Sequence, residues 1–246
     1  MMGVDLRCQV ERGFPVALIR LSGTLDLISV ARVRATMAKC LADQPTAVVI
    51  DVSDLAVVDD LLLLMFMTVS RRAAEWPGSA ILLCSPGPEL AEALRRTATA
   101  RHVQIYPTRS AALAAARAHP VPKRIREIYL PSRDAPGHAR SVTAIACENW
   151  SVPEVSGIAQ VIVSELVANA VVHARTMLEL SLALRGQFLH ISVRDGDRRV
   201  VRPPDAVADD AESGRGLLVI GALASSWGIV RTGDGKIIWA VVRIRL

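Results

Sequence analysis

Apolar and polar positions change period many times along the chain, and the changes fall into two series. In the first, apolar residues at 6–10 and 16–21 flank a turn at 11–15 (ERGFP), predicting two strands. Leu27, Val30, Val33, Met37 and Leu41 then recur in three- and four-residue steps, predicting an amphipathic helix to about Leu41. Residues 47–51 (AVVID) read as an unbroken apolar strand, the kind covered on both faces of a sheet. A helix over 61–72, a strand at 80–84, a helix over 89–96, a strand at 103–105 and an Ala-rich helix over 109–118 continue the alternation. Strands alternating with helices predict a small α/β unit with helices packed on a sheet.

The alternation stops at His119. The stretch HPVPKR carries two prolines and a charge cluster, so residues 119–127 are expected to link two domains, 1–118 and 128–246. The second series opens with a helix near 137–149 and a longer apolar helix from about 155 to 174. Ser151, Pro153 and Glu154 precede that helix in the pattern of a capping box. Residues 178–184 and 188–193 predict a hairpin across Arg185, Gly186 and Gln187. The polar, Pro-containing stretch 198–213 reads as a mobile lid, Gly214 opens another helix, and strands at 229–231 and 236–243 close a second sheet. No internal repeat is apparent.

Composition narrows the class. The chain has 246 residues, 51% hydrophobic and 22% charged, which is globular, and only 4% aromatic, so both cores must be aliphatic and Ala-rich. A net charge of +5 raises a nucleic-acid partner, but the arginines are interspersed with carboxylates and only 123–126 (KRIR) cluster, so none is expected. Cys8, Cys40, Cys84 and Cys147 are far apart, against a zinc site or disulfide framework and in keeping with a reducing cytoplasm. No signal peptide is visible, and the apolar run at 61–69 is too short for a membrane span.

Glu165 and Asn169 break the apolar pattern of the helix at 155–174. They are four apart and so share one face. The plain reading is that each caps a loop or pairs with an arginine elsewhere; the sharper one is a shared ligand, with Glu165 as a base and Asn169 as an oxygen ligand to Mg2+. Downstream, Asp195–Gly196–Asp197 ends an apolar strand, where a carboxylate can accept from an exocyclic amine. Gly214, Arg215, Gly216 and Leu217 open a helix, whose N–H groups suit phosphate. Turns alone would account for the glycines.

In this order the segments SELVANAVVHA (164–174), SVRDGD (192–197), GRGLLVIGALASSWG (214–228) and GKIIWAVV (235–242) resemble the Bergerat-fold (GHKL) ATPases, and more closely the anti-sigma-factor serine kinases. That resemblance implies a Bergerat-fold α/β sandwich that binds ATP and Mg2+. Glu165 would be the base for the attacking hydroxyl or water, Asn169 the Mg2+ ligand and Asp195 the acceptor for the adenine amine. Gly196, Gly214, Gly216 and Leu217 would line the nucleotide, with Arg215 beside the phosphates. The chain departs from the family in lacking a second glycine after Asp197. Where a threonine often stands near adenine, after Gly235–Lys236, it has Ile237.

The first half resembles the STAS domain of anti-sigma-factor antagonists, through LSGTLDLISVARV (21–33) and VVIDVSDLAVVDDLLLL (48–64). In such antagonists a serine following an Asp accepts the phosphoryl group; here Asp60 stands in its place. The two resemblances together imply a cytoplasmic partner-switching regulator, an α/β chain acting as an ATP-dependent protein serine/threonine kinase that phosphorylates a STAS-type antagonist and can sequester a sigma factor. Homodimerisation is left open. The alternative is a non-catalytic switch that binds nucleotide and partners only.

Overall fold

The computed structural model describes residues 5–11, 13–199 and 212–244, with backbone alone for 212–215. The chain divides into two compact units, one ending at Val121 and one starting at Pro122.

In the first unit, Arg7–Glu11 (β1) pairs antiparallel with Val16–Leu25 (β2). Ala47–Val57 (β3), Ala80–Cys84 (β4) and Gln104–Tyr106 (β5) follow in parallel, giving the order β1-β2-β3-β4-β5. Both faces are covered, which explains the unbroken apolar run in β3. Val48 and Ile50 pack with Leu27–Ala42 (α1), Leu64–Glu75 (α2) and Pro88–Arg96 (α3), through Val33, Phe66 and Leu94. Val49 packs on the other side with Ala112 and Ala116. These lie in the helix Arg109–Ala118 (α5), whose small side chains let it approach the sheet closely. Asp26 caps α1 reciprocally: its carboxylate accepts from the Ser29 N–H (2.7 Å), and its own N–H donates to Ser29 Oγ (2.8 Å).

The sequence pattern missed a short helix, Thr99–His102 (α4), and β3 runs six residues past its expected end, from Asp51 to Val57. The helix expected from Leu61 begins with a tighter turn, Asp60–Leu63, before α2. Asp59 is the reason: its carboxylate accepts from the Leu61 N–H at 2.8 Å and its carbonyl from the Leu62 N–H at 3.1 Å.

The second unit holds an antiparallel sheet of Lys123–Tyr129 (β6), Leu178–Arg185 (β7), Phe188–Asp195 (β8), Ser226–Arg231 (β9) and Lys236–Arg243 (β10), ordered β6-β7-β8-β10-β9. Ala135–Asn149 (α6), Ser156–Asn169 (α7) and Glu212–Leu223 (α8) share a core with it. Ile162, Val163 and Leu166 of α7 meet Leu180, Leu182, Ile191, Val193, Ala240 and Val242 there.

Two expectations change. The connector 119–127 contains strand from Lys123 onward, because Ile125 and Tyr129 alternate inward onto this core. Ser151 and Glu154 do not cap α7; Ser151 instead closes α6 in a left-handed conformation, φ 61°. Its N–H donates to the Glu148 carbonyl and that of Val152 to Cys147, the paired bonds of a Schellman motif. Among the described residues, the helical stretch Pro153–Ala174 has the length and composition of a membrane span, and its buried side chains belong to this core. Most of the lid expected at 198–213 lies outside the described residues.

Candidate functional site

Helix α7 buries Ala159, Ile162, Val163, Leu166 and Val167 against the sheet and its neighbouring helices, while Ile158 and Val161 on its other side are exposed, so its apolar character runs past the face it buries. Glu165 and Asn169 emerge, half-buried, where α7 meets α8. Gly216 makes that meeting close. A Cβ at 216 would lie 2.7 Å from Glu165 Oε2, 3.3 Å from Asn169 Nδ2 and 3.5 Å from Asn169 Oδ1. The sequence-predicted Glu165, Asn169 and Gly216 are therefore together. Gly214 and Arg215 lie in the first turn of α8, whereas the Leu217 side chain is in the core, leaving only its backbone for a ligand. A carboxylate and a carboxamide one turn apart offer few protein oxygens to a cation. That suits Mg2+, which keeps waters and takes phosphate oxygens in preference to a full protein cage. Among the described residues no group of three or more His, Cys, Asp or Glu side chains is placed to hold a metal.

Past Asn169 the chain winds wider through Ala170–Ala174 and ends at Arg175 in the left-handed region, φ 54°. This widened end anchors the Asp195 loop. Gly196 N–H donates to Thr176 Oγ1 (2.9 Å), and the Arg199 guanidinium donates to the His173 carbonyl. His173 thus contributes its backbone there.

Asp195 continues the inward face of β8 set by Ile191 and Val193, and it is buried. Directly across the register, at the start of β10, is Lys236. Its ammonium is also buried, 3.1 Å from Asp195 Oδ1 and 3.0 Å from Asp197 Oδ2, and it donates to the Asp197 carbonyl at 3.4 Å. Asp195 Oδ1 also accepts from the Asp197 N–H (2.8 Å). Arg199 closes the cluster on Asp197 at 3.0 Å. Hydrogen bonds from Arg199, and then from Lys236, hold the Asp197 carboxyl well below the usual carboxylate range. Gly235 is essential to this register, since a Cβ there would be 1.9 Å from the Asp195 carbonyl oxygen.

Lys236 is the residue that the sequence reading passed over. That reading noted Ile237 where the family often has a threonine; the pleat turns 237 away from the face shared by Lys236, Ile238 and Ala240. The available signal was parity: a lysine in the inward phase of an apolar strand.

In the first unit Asp59 is the cap and Asp60 is not. Asp60 Oδ2 accepts from Arg96 Nε (3.0 Å) and Nη2 (2.7 Å), on the rim of a cleft of about 490 Å³ that also includes Ser53, Gly87 and Glu89. Leu61 and Val58 beside it are exposed.

Residues 8–112 match the family model of the STAS domain, and residues 131–242 that of the histidine kinase-like ATPase domain. Among solved structures, the chain is similar to an anti-sigma factor antagonist from Mycobacterium paratuberculosis, with 22% identity and a TM-score of 0.41, over 46% of this chain and 95% of that one. It is also similar to an anti-sigma-factor antagonist (STAS) domain protein from Planctomyces limnophilus, with 22% identity and a TM-score of 0.38, over 44% and 96%. No curated protein matches. The chain thus carries a STAS domain in its first unit and a histidine kinase-like ATPase domain in its second.

Proposed function

We propose that the chain is a cytoplasmic partner-switching regulator whose second unit binds Mg-ATP and transfers the γ-phosphoryl group to a serine or threonine of a STAS-type antagonist. The observation that carries this reading is the convergence of Glu165, Asn169 and Gly216. Bound Mg2+ would neutralise phosphate charge, held on the protein side by Asn169. Glu165 takes the proton of the partner hydroxyl as its oxygen bonds to the γ-phosphorus. The bond from that phosphorus to the bridging oxygen breaks, and ADP leaves. Gly216 leaves the space in which the carboxylate and the phosphate chain can lie side by side. In the STAS unit, Asp60 supplies a fixed charge of about −1 where phosphoserine would carry roughly −1.5 to −2, already satisfied by Arg96. Exposed Val58 and Leu61 border that charge and give a partner an apolar surface to cover.

The test is phosphotransfer from γ-labelled ATP to a serine-bearing STAS protein. Wild type should label it. Glu165→Gln should lose at least about 100-fold in rate while keeping nucleotide affinity within a few-fold. Absence of ATP affinity in the wild type would sink the whole reading. A second reading, a non-catalytic switch with nucleotide as a structural ligand, is favoured by one observation, the Asp60–Arg96 pair where a STAS acceptor serine would stand. Binding without transfer to any protein or to water would select it.

A further inference from the structure

The buried charge cluster at the end of β8 is more than a loop anchor. Lys236 with the two carboxylates Asp195 and Asp197 takes three charged groups largely out of water, which is costly unless each is met by partners. Here each is met. The Lys236 ammonium takes both carboxylates and the Asp197 carbonyl, and Arg199 balances the second carboxylate at the rim. With Asp195, Asp197, Lys236 and Arg199 together the cluster is formally neutral. Asp195 Oδ1 already accepts twice, from the ammonium and from the Asp197 N–H.

We infer that Lys236 is a specificity-determining residue of the nucleotide site, occupying the Asp195 carboxylate in place of a purine's exocyclic amine. The inference rests on the proposed nucleotide site and refines it. A carboxylate paired with an internal ammonium is a weaker acceptor for a ligand amine, because its charge is already compensated and its Oδ1 is taken by Lys236 and the Asp197 N–H. The base then adds little to recognition, and affinity comes from the triphosphate, at the α7–α8 crossing. Lys236 acts through Asp195 and is a positioning residue.

The discriminating pair of ligands is ATP and purine riboside triphosphate, which has a hydrogen where ATP has the amine. A hydrogen bond to an unpaired charged acceptor is worth roughly ten- to hundredfold in affinity. By calorimetry, wild type should bind the two within about threefold of each other. Lys236→Met, which keeps the side-chain stem and removes the charge, should favour ATP by about tenfold or more. The double variant Lys236→Met with Asp197→Asn should do the same with less uncompensated charge, and it serves if the single variant is too unstable. A merely structural lysine would change both affinities together and leave their ratio alone.

A wild-type preference for ATP of tenfold or more, or a ratio unmoved in the variants, overturns the inference while the nucleotide site stands. If neither ligand binds any of the three proteins, the site reading falls and this inference with it. If ATP binds only after Lys236 is replaced, the inference holds in its strongest form, with the ammonium excluding the base altogether.

Discussion

Two glycines in the second unit forbid a side chain for different reasons, and the difference predicts different losses. At Gly216 the obstacle is Glu165 Oε2, the far end of a flexible side chain, which can swing aside. Gly216→Ala should therefore cost less than about 1 kcal/mol of stability, yet reduce phosphotransfer by about tenfold or more as the carboxylate is displaced. At Gly235 the obstacle is the backbone oxygen of Asp195, which can move only if β8 and β10 separate. Gly235→Ala should lower stability by about 2–4 kcal/mol in urea denaturation. Equal losses of stability in the two variants would contradict this contrast. Asp197 adds a pH dependence. Its folded pKa is depressed, with Arg199 the first cause, so its contribution is complete above the ordinary carboxylate value and is lost as pH falls below about 4. Asp197→Asn should destabilise the chain at neutral pH and flatten the fall of Tm between pH 5 and 3. A Tm profile parallel to wild type would remove Asp197 from the acid limb.

At the scale of elements, the α6–α7 junction shows how one residue can be read in two ways. Ser151 followed by Glu154 has the lettering of a helix start, but the backbone uses Ser151 to end the preceding helix, at φ 61°. Glycine adopts that conformation without the Cβ penalty, so Ser151→Gly should raise stability by a few tenths to about 1 kcal/mol. A loss on thermal denaturation would mean that the hydroxyl makes a contact worth more than the strain. The same junction explains what was legible in the sequence. Periodicity located nearly every strand and helix, because each buries a regular face: α1 by its three- and four-residue steps, β3 by its unbroken run, α7 by Ala159, Ile162, Val163, Leu166 and Val167. It failed where a local hydrogen bond overrides propensity, as at Asp59, Ser151 and the widened turn after Asn169. It failed again where a contact depends on parity across strands. Glu165 and Asn169 were readable because both lie on one helix, within one turn. The Lys236–Asp195 pair joins residues 41 apart in sequence through the register of two strands, which no local pattern encodes.

For the whole molecule, each unit has its own core, and the short stretch His119 to Pro122 between α5 and β6 carries both prolines and belongs to no strand or helix. Limited proteolysis should cut there before degrading either unit; first cuts inside β3 or α7 would refute two independent domains. The question for the molecule is whether its STAS unit can be switched. Asp60 has no hydroxyl to accept a phosphoryl group, and Arg96 already neutralises its carboxylate. The pair is exposed enough to be worth no more than about 1 kcal/mol, so stability alone does not account for it. What the pair does provide is a permanent negative charge with its cation in place, on a rim bordered by exposed Val58 and Leu61. Asp60→Ser restores an acceptor hydroxyl and frees Arg96 to bind the phosphate that would be added. If the second unit is a kinase and the first is locked in a phosphorylated-like state, γ-labelled ATP should label the Asp60→Ser protein at the introduced serine. The wild type and Asp60→Ala should stay unlabelled at that position, as read by mass spectrometry of the 47–75 region. Labelling should also disappear when Glu165→Gln is combined with Asp60→Ser, which assigns the transfer to this chain's own site. Should a serine-bearing STAS partner be phosphorylated while the Asp60→Ser chain remains unlabelled, Asp60 is only part of a surface ion pair and the locked state is wrong.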